Sequence, residues 1–376
     1  MKRPSHSAPK RIGILTGGGD CPGLNAVIRA VAKDALYHDI EVFGIEDGFL
    51  GLIEDRIQPL RREHVSGILT QGGTILGSSN KADPTNFQVG NDADGKPIMK
   101  DMTEVCMTHL EASGIEALVV IGGDGTMSCA KPFADRGINC VGVPKTIDND
   151  LWGTDMTFGF TTAVANATDA LDKVHTTAAS HNRVMVVEVL GRNAGWLCLH
   201  AGVASGADVL LLPEIPFDLE EIKEVVEVRA NRGRRYTIIC ASEGAKPKGG
   251  DVIVERIVED APDPVRLGGV GKYVADQVEE MTGVESRYVV LGHVQRGGTP
   301  VAADRVLATR FGHAAARLIT AGEKNRLVVL HEGELSDVEI QSAAGKQRLV
   351  EPDDNDLIDA ARSVYTSFAD GKTGRF

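Results

Sequence analysis

The sequence predicts an α/β protein of two domains, each built on a mostly parallel sheet, and three observations carry that expectation. Short apolar runs rich in β-branched residues recur along the chain, as at Ile12 to Thr16 and Val184 to Val189. Stretches with apolar residues at helical spacing lie between several of them. The 376 residues exceed what one core ordinarily gathers and suffice for two domains.

Ile12 to Thr16 reads as a buried strand, and Leu24, Val27, Ile28, Val31, Ala35 and Leu36 form the stripe of the helix after it. Ala117 to Ile121 and Cys140 to Val143 are the next strands, and Val164, Ala167, Leu171 and Val174 mark a second helix. Buried strands follow at Val184 to Val189, Val209 to Leu212 and Tyr236 to Cys240. Val274, Val278 and Met281 mark a third helix, before strands at Tyr288 to Leu291 and Leu327 to Leu330. Gly244 to Gly269, with Lys246, Pro247, Lys248, Pro262 and Pro264, reads as a surface insertion, and the chain from about Ser336 is too polar to assign. Alternating strands and helices imply parallel sheets covered on both faces. Ligands of such folds sit outside the carboxyl ends of the strands, so the residues after each strand are where chemistry is expected.

Hydrophobic residues at 42% and charged residues at 25% are ordinary for a globular chain. A formal net charge of -13 argues against nucleic acid and anionic membranes as partners. A polyanionic substrate must then be held by local cations. Six cysteines lie scattered without a C-x-x-C pair and read as buried thiols of a cytoplasmic protein. Met1 to Arg11 is basic and polar, and the apolar stretch after it breaks at Gly17 to Gly19, too early for a secretory signal. No run approaches the ~18 apolar residues of a membrane span.

The first strand exits into Gly17-Gly18-Gly19-Asp20-Cys21-Pro22-Gly23 and then a helix. The spacing fits neither the dinucleotide fingerprint nor Walker A, so a phosphate cradle and a structural turn remain equally open. The second exit, Gly122-Gly123-Asp124-Gly125-Thr126, is sharper. Its glycines admit a phosphate, Asp124 can hold magnesium, and Thr126 offers a hydroxyl at a helix start. A hairpin turn is the alternative for Asp-Gly, but the following residues do not alternate as a returning strand would.

The third exit, Pro144-Lys145-Thr146-Ile147-Asp148-Asn149-Asp150, is the most informative. In an extended loop Asp148 and Asp150 face one way while Ile147 anchors the loop inward. One carboxylate can take a hydroxyl proton while its neighbour supports magnesium or its waters, a division of labour that suits phosphoryl transfer. An Asx-rich turn is the bland alternative. Arg183, Arg192, Arg287, His293 and Arg296 gather at later strand ends and form a candidate cradle for a phosphorylated ligand. Glu243 can accept a sugar hydroxyl or form a salt bridge. These residues point to a magnesium-dependent phosphotransferase acting on an already phosphorylated sugar.

Together these stretches resemble the phosphofructokinase family. GGGDCPGLNA (17–26), IGGDGT (121–126), PKTIDND (144–150), SHNR (180–183), LGRNAG (190–195), LGHVQRGG (291–298) and the helix after Pro300 occur in order between about Arg11 and about Gly322. The resemblance implies two Rossmann-like three-layer domains with the active site in the cleft between them. Residues 1–159 with about 295–345 would bind nucleotide and magnesium, and residues 160–294 with about 346–376 the sugar phosphate. The implied activity is 6-phosphofructokinase, the glycolytic transfer of a phosphoryl group from ATP to fructose 6-phosphate, with Mg2+ as cofactor.

Carried over by position, Asp148 would be the base and Asp124 the magnesium ligand, with Asp150 behind it. Thr146, Ile147, Asp148 and the Leu190-Gly191-Arg192 turn would contact sugar and transferring phosphate, Thr146 and Arg192 sharing in catalysis, with Glu243 on a hydroxyl. Arg183 and Arg287 would reach into a neighbour's site to hold the 6-phosphate, joined by His293, Val294, Gln295 and Arg296. That sharing implies a homo-oligomer, a dimer or tetramer. Gly18, Gly19, Asn80, Lys81, Gly123, Asp124, Gly125 and Thr126 would bind the nucleotide.

Gly125 is of the ATP type, because aspartate there crowds and repels an α-phosphate, whereas Lys145 is of the pyrophosphate type. The pair is the pattern of the family's mixed-substrate group, and ATP is the expected donor, with pyrophosphate as the alternative. Lys33 and His175 replace effector-binding arginines, so the usual regulation is not expected. A lipid or NAD kinase shares the Gly-Gly-Asp-Gly-Thr turn but would lack the downstream motifs. A non-catalytic regulatory homologue would not be expected to keep Asp124, Thr146, Asp148 and Arg192.

Overall fold

Each apolar run read as a strand is one, and the reason shows in what covers it. The computed structural model describes residues 8–257 and 265–372, and the chain divides into two units. Unit one comprises Met1–Ile147, Leu151–Thr161 and Arg296–Gln347; unit two comprises Asp148–Asp150, Thr162–Gln295 and Arg348–Phe376.

Among the described residues, unit one carries an eight-stranded sheet. From edge to edge it runs Glu334–Glu339, Arg326–His331, Asn139–Thr146, Ala117–Gly122, Arg11–Thr16, Glu41–Ile45 and Ile57–Pro59, with Phe158–Gly159 pairing beside Asn139–Thr146. Only the two outermost strands are antiparallel to their neighbours. Leu15, Leu118 and Val120 pack with Phe49, Leu110 and Phe133 from helices Phe49–Ile53, Thr103–Ser113 and Asp124–Asp135. Helix Leu24–Tyr37 packs along helix Ala302–Ala321, which also lies on the strand Asn139–Thr146.

In unit two four parallel strands run in the order Val209–Leu211, Thr237–Ser242, Val184–Val189, Ser286–Val290. Val209 and Leu211 join Ile222 and Val226 of helix Leu219–Asn231 and Val274 of helix Val270–Thr282 in one cluster. Helix Trp196–Ser205 packs on the same strand as well, with Gly202 close to the Leu210 side chain. A strand covered on both sides in this way reads as a continuous apolar run.

Two expectations need correction. Tyr288 and Val290 are exposed rather than buried, because Ser286–Val290 is the sheet's edge and lacks a neighbour on one side. The insertion does not begin at Gly244: Ala245 is fully buried, and Phe217 exchanges backbone hydrogen bonds with Lys246 and Lys248. Its residues 258–264, including Pro262 and Pro264, lie outside the described residues, as does the start of the basic N-terminal stretch at residues 1–7. The polar tail from about Ser336 contributes the end of an edge strand and helices Ile340–Ala343 and Asp356–Ser363.

No helix among the described residues is long and apolar enough to cross a membrane. Helix Leu219–Asn231 is started by Asp218, whose carboxylate accepts the Glu220 N–H at 3.0 Å. Asp218→Ala is expected to cost about 1 kcal/mol and Asp218→Asn close to nothing, since both native and asparagine side chains cap well. Urea unfolding midpoints of the two variants check this, and equal losses would remove the cap from its role.

Candidate active site

Two strand exits of unit one touch each other through backbone. Gly17 N–H donates to the Ile121 carbonyl at 2.9 Å, and Thr126, in the first turn of helix Asp124–Asp135, packs on both exits. A Cβ on Gly17 would stand 2.6 Å from Thr126 Cγ2, and one on Gly122 2.3 Å from Thr126 Cβ, so neither position admits a side chain. Gly125 is different. Its φ is not positive, and a Cβ there would meet nothing within 4 Å. No side chain caps this helix, which leaves its first-turn N–H groups to solvent or ligand beside Asp124.

Lys145 is buried at the end of Asn139–Thr146, and its Nζ donates to the Gly19 carbonyl at 2.7 Å. Ser78 Oγ donates to the Gly18 carbonyl at 2.5 Å, and Gly18 N–H to the Ser79 carbonyl at 3.1 Å, which brings exposed Asn80 and Lys81 next to this turn. The Thr146 carbonyl accepts the Thr157 hydroxyl at 2.8 Å, and Ile147 is buried, as its anchoring role requires.

In unit two the turns after Val184–Val189 and Thr237–Ser242 lock together. Gly191 holds φ 132°, and Ser242 Oγ donates to its carbonyl at 2.6 Å, where a Cβ on Gly191 would stand 2.4 Å from that oxygen. Glu243 N–H donates to the Val189 carbonyl at 2.9 Å, which sets Glu243 beside Arg192. Burial, and then the charges of Asp148 and Glu188, push the Glu243 carboxyl up to about 7, against the opposing pull of the Gly191 backbone and Arg192. Glu188 is itself buried and accepts the N–H groups of Gly269 and Gly271 at 3.1 and 2.8 Å, at the start of helix Val270–Thr282.

Arg183 Nε and Arg287 Nη2 bind the two oxygens of Glu285 at 2.7 and 2.6 Å. His293 and Val294 are exposed, whereas Gln295 is fully buried and its amide donates to the Gly292 carbonyl at 3.0 Å. Gln295 thus serves its own turn rather than facing outward. Arg296, grouped in the sequence reading with Arg183, Arg192 and Arg287, belongs to unit one and donates to the Asp20 carbonyl at 3.1 Å.

The candidate residues divide between the units. Gly18, Gly19, Asn80, Lys81, Gly123, Asp124, Gly125, Thr126, Lys145, Thr146, Ile147 and Arg296 lie in unit one. Asp148, Asp150, Arg183, Leu190, Gly191, Arg192, Glu243, Arg287, His293, Val294 and Gln295 lie in unit two. The extended backbone assumed at Asp148 to Asp150 is broken by Asn149, at φ 52°, so alternation no longer pairs the two acids. Ser78 and Arg348 escaped the sequence reading; each acts through a backbone contact that no motif announces.

The phosphofructokinase family model matches residues 11–319, which spans both sets of strand exits. The chain belongs to the phosphofructokinase family. An ATP-dependent 6-phosphofructokinase 2 of Clostridium perfringens is 49% identical over 363 residues, covering 96% of this chain and 99% of that one. A pyrophosphate--fructose 6-phosphate 1-phosphotransferase of Amycolatopsis methanolica is 48% identical, covering 91% and 97%. Among solved structures, a phosphofructokinase of Saccharomyces cerevisiae superposes with a TM-score of 0.76 at 31% identity, over 89% of this chain and 45% of that one. Overall identity thus barely separates relatives named for different donors.

Because the folded Glu243 value lies above its ordinary one, the protonated side chain contributes stability that is full below about pH 4.5 and lost as pH rises through about 7. Glu243→Gln cannot ionise, so its gain in unfolding temperature over the native protein is expected to be larger at pH 8 than at pH 5. Thermal unfolding at the two pH values tests this, and the same shift at both would contradict it.

Proposed function

We propose that this chain is an ATP-dependent 6-phosphofructokinase, acting in glycolysis on fructose 6-phosphate to give fructose 1,6-bisphosphate and ADP. Gly125 carries the choice of donor. A glycine inside a helix costs about 0.5–1 kcal/mol relative to alanine. Neither a positive φ nor a close neighbour asks for one at position 125. The open space beside it suits an α-phosphate that a side chain, above all a carboxylate, would displace.

In this reading unit one holds the donor through Gly18, Gly19, Asn80, Lys81, Gly123 and the first-turn N–H groups at Gly125 and Thr126. Unit two holds the sugar phosphate, with Glu243 on a sugar hydroxyl. Asp148 accepts the proton of the 1-hydroxyl as that oxygen bonds to the terminal phosphorus and the bond to the bridging oxygen of ADP breaks. Arg192 neutralises charge on the transferring group, and Thr146 orients it. Arg183 and Arg287, with His293, grip the 6-phosphate of a neighbouring copy, so the working form is a homo-oligomer in the cytoplasm.

Phosphofructokinases need Mg2+ as a general property of the family. A single carboxylate, Asp124, begins its helix in the first-turn position. One carboxylate completed by waters and substrate phosphates is how Mg2+ is usually bound, and it supplies charge neutralisation on those phosphates. Asp124 would hold the ion, and Asp150, no longer paired with Asp148 by alternation, would stand behind it.

Lys145 favours a second reading, a pyrophosphate-dependent enzyme, since a buried cation suits a compact donor. Its Nζ is engaged on Gly19, however, and adds charge without closing the space at Gly125.

Gly125→Asp is expected to fold, to abolish turnover with ATP and to spare or raise turnover with pyrophosphate; unchanged ATP kinetics would remove Gly125 from the donor site. Asp148→Asn is expected to keep sugar phosphate binding and to lose about 10²–10⁴-fold in kcat. Steady-state kinetics with calorimetric binding checks it, and near-native turnover would strip Asp148 of its role.

A further inference from the structure

The loop that carries Asp148 does not hold its shape alone. Asn149 adopts φ 52°, a left-handed conformation that asparagine tolerates better than most residues, and the carbonyls of this turn are held from outside the loop. The hold comes from the C-terminal part of unit two. Arg348 N–H donates to the Asp150 carbonyl at 2.7 Å, and Arg348 Nη1 to the Asn149 carbonyl at 3.3 Å. Two consecutive carbonyls directly after Asp148 are therefore held by one residue.

That residue is itself fixed at both ends. Its guanidinium carbon lies 4.0 Å from the centroid of the Trp196 ring, and Trp196 Nε1 donates to the Arg348 carbonyl at 2.9 Å. Trp196 is buried at the start of helix Trp196–Ser205. Val350 N–H, two residues on, and Gly195 N–H, one residue before Trp196, both donate to the Glu214 carboxylate, at 2.9 and 3.0 Å. The arginine segment and the tryptophan thus share one half-buried acid as a common anchor. Burial and the Arg348 charge both push the His200 imidazole down, which favours its neutral form beside the guanidinium.

We propose that Arg348 is a positioning residue for phosphoryl transfer. With its guanidinium over the Trp196 face, it holds the Asn149 and Asp150 carbonyls and so fixes the direction in which Asp148 presents its carboxylate to the sugar hydroxyl. The inference rests on the reading of Asp148 as the base. It assigns a part to a segment beyond residue 319, where the match to the family model ends. A misplacement of ~1 Å in a reacting group can cost ~10²-fold in rate, so a loop held by two hydrogen bonds is a place where such a loss can arise.

Arg348→Ala removes the guanidinium and leaves the backbone bond to Asp150. Arg348→Gln keeps part of the stem over Trp196 and serves if the alanine variant fails to fold. With fructose 6-phosphate, Mg2+ and ATP, kcat is expected to fall ~10–10²-fold in either variant. KM for each substrate should stay within about threefold, the split expected when orientation rather than binding is lost. Added in the Asp148→Asn background, Arg348→Ala should lower kcat little further, because the group it aims is gone. Millimolar guanidinium should restore part of the activity of Arg348→Ala.

Losses that multiply in the double variant would overturn the inference, since Arg348 would then act apart from Asp148. So would full turnover in a folded Arg348→Ala enzyme beside a crippled Asp148→Asn enzyme. Full turnover in Asp148→Asn itself would overturn the reading of the base, and this inference with it.

Discussion

Thr126 is pressed against two backbones that have no side chain to interpose. The contact of its methyl and Cβ with Gly17 and Gly122 lets two parallel strands release their chains side by side at the same height. It also sorts the glycines of this region. Those at 17 and 122 are demanded by packing and would be glycine whatever the protein bound. The one at 125 answers to nothing in the fold, and the space it leaves is what an external group would use. A glycine-rich motif thus carries two kinds of information, which only the neighbours of each Cβ separate.

Unit two is governed by charge at close quarters. Glu188 is committed to the N-terminus of helix Val270–Thr282, where it accepts the Gly269 and Gly271 N–H groups. Burial first, and then the neighbouring Asp148 and Glu188, keep the proton on Glu243 close to neutrality, and Arg192 offsets only part of this. Three carboxyl groups thus differ in their surroundings: Glu188 anchors a helix, burial leaves Glu243 poised between its two forms, and Asp148 is the one read as proton acceptor. Arg192 reaches this group because Gly191 permits a turn that no side chain could follow.

The fold was legible wherever a strand is covered on both faces, because such strands need only be apolar and β-branched. It faded at edges. Glu334–Glu339 lies outermost in its sheet, half exposed along its length, and its polar sequence gives no strand period to find. Tyr288 and Val290 misled in the opposite direction, apolar yet exposed on an edge. In the site, Ile147 turned inward as its neighbours suggested, whereas the extended loop after it did not survive the left-handed Asn149. Asparagine's tolerance of that conformation was a signal available in the sequence. The bonds from Arg348 were not, since a backbone acceptor 199 residues away leaves no trace in residue type.

The most direct measurement uses the unmodified protein with fructose 6-phosphate and Mg2+, supplied in turn with ATP and with pyrophosphate, and follows fructose 1,6-bisphosphate with the released ADP or phosphate. Bisphosphate formed with ATP, and little or none with pyrophosphate, is the expected result. Product from pyrophosphate alone would contradict the meaning given to the open space at Gly125.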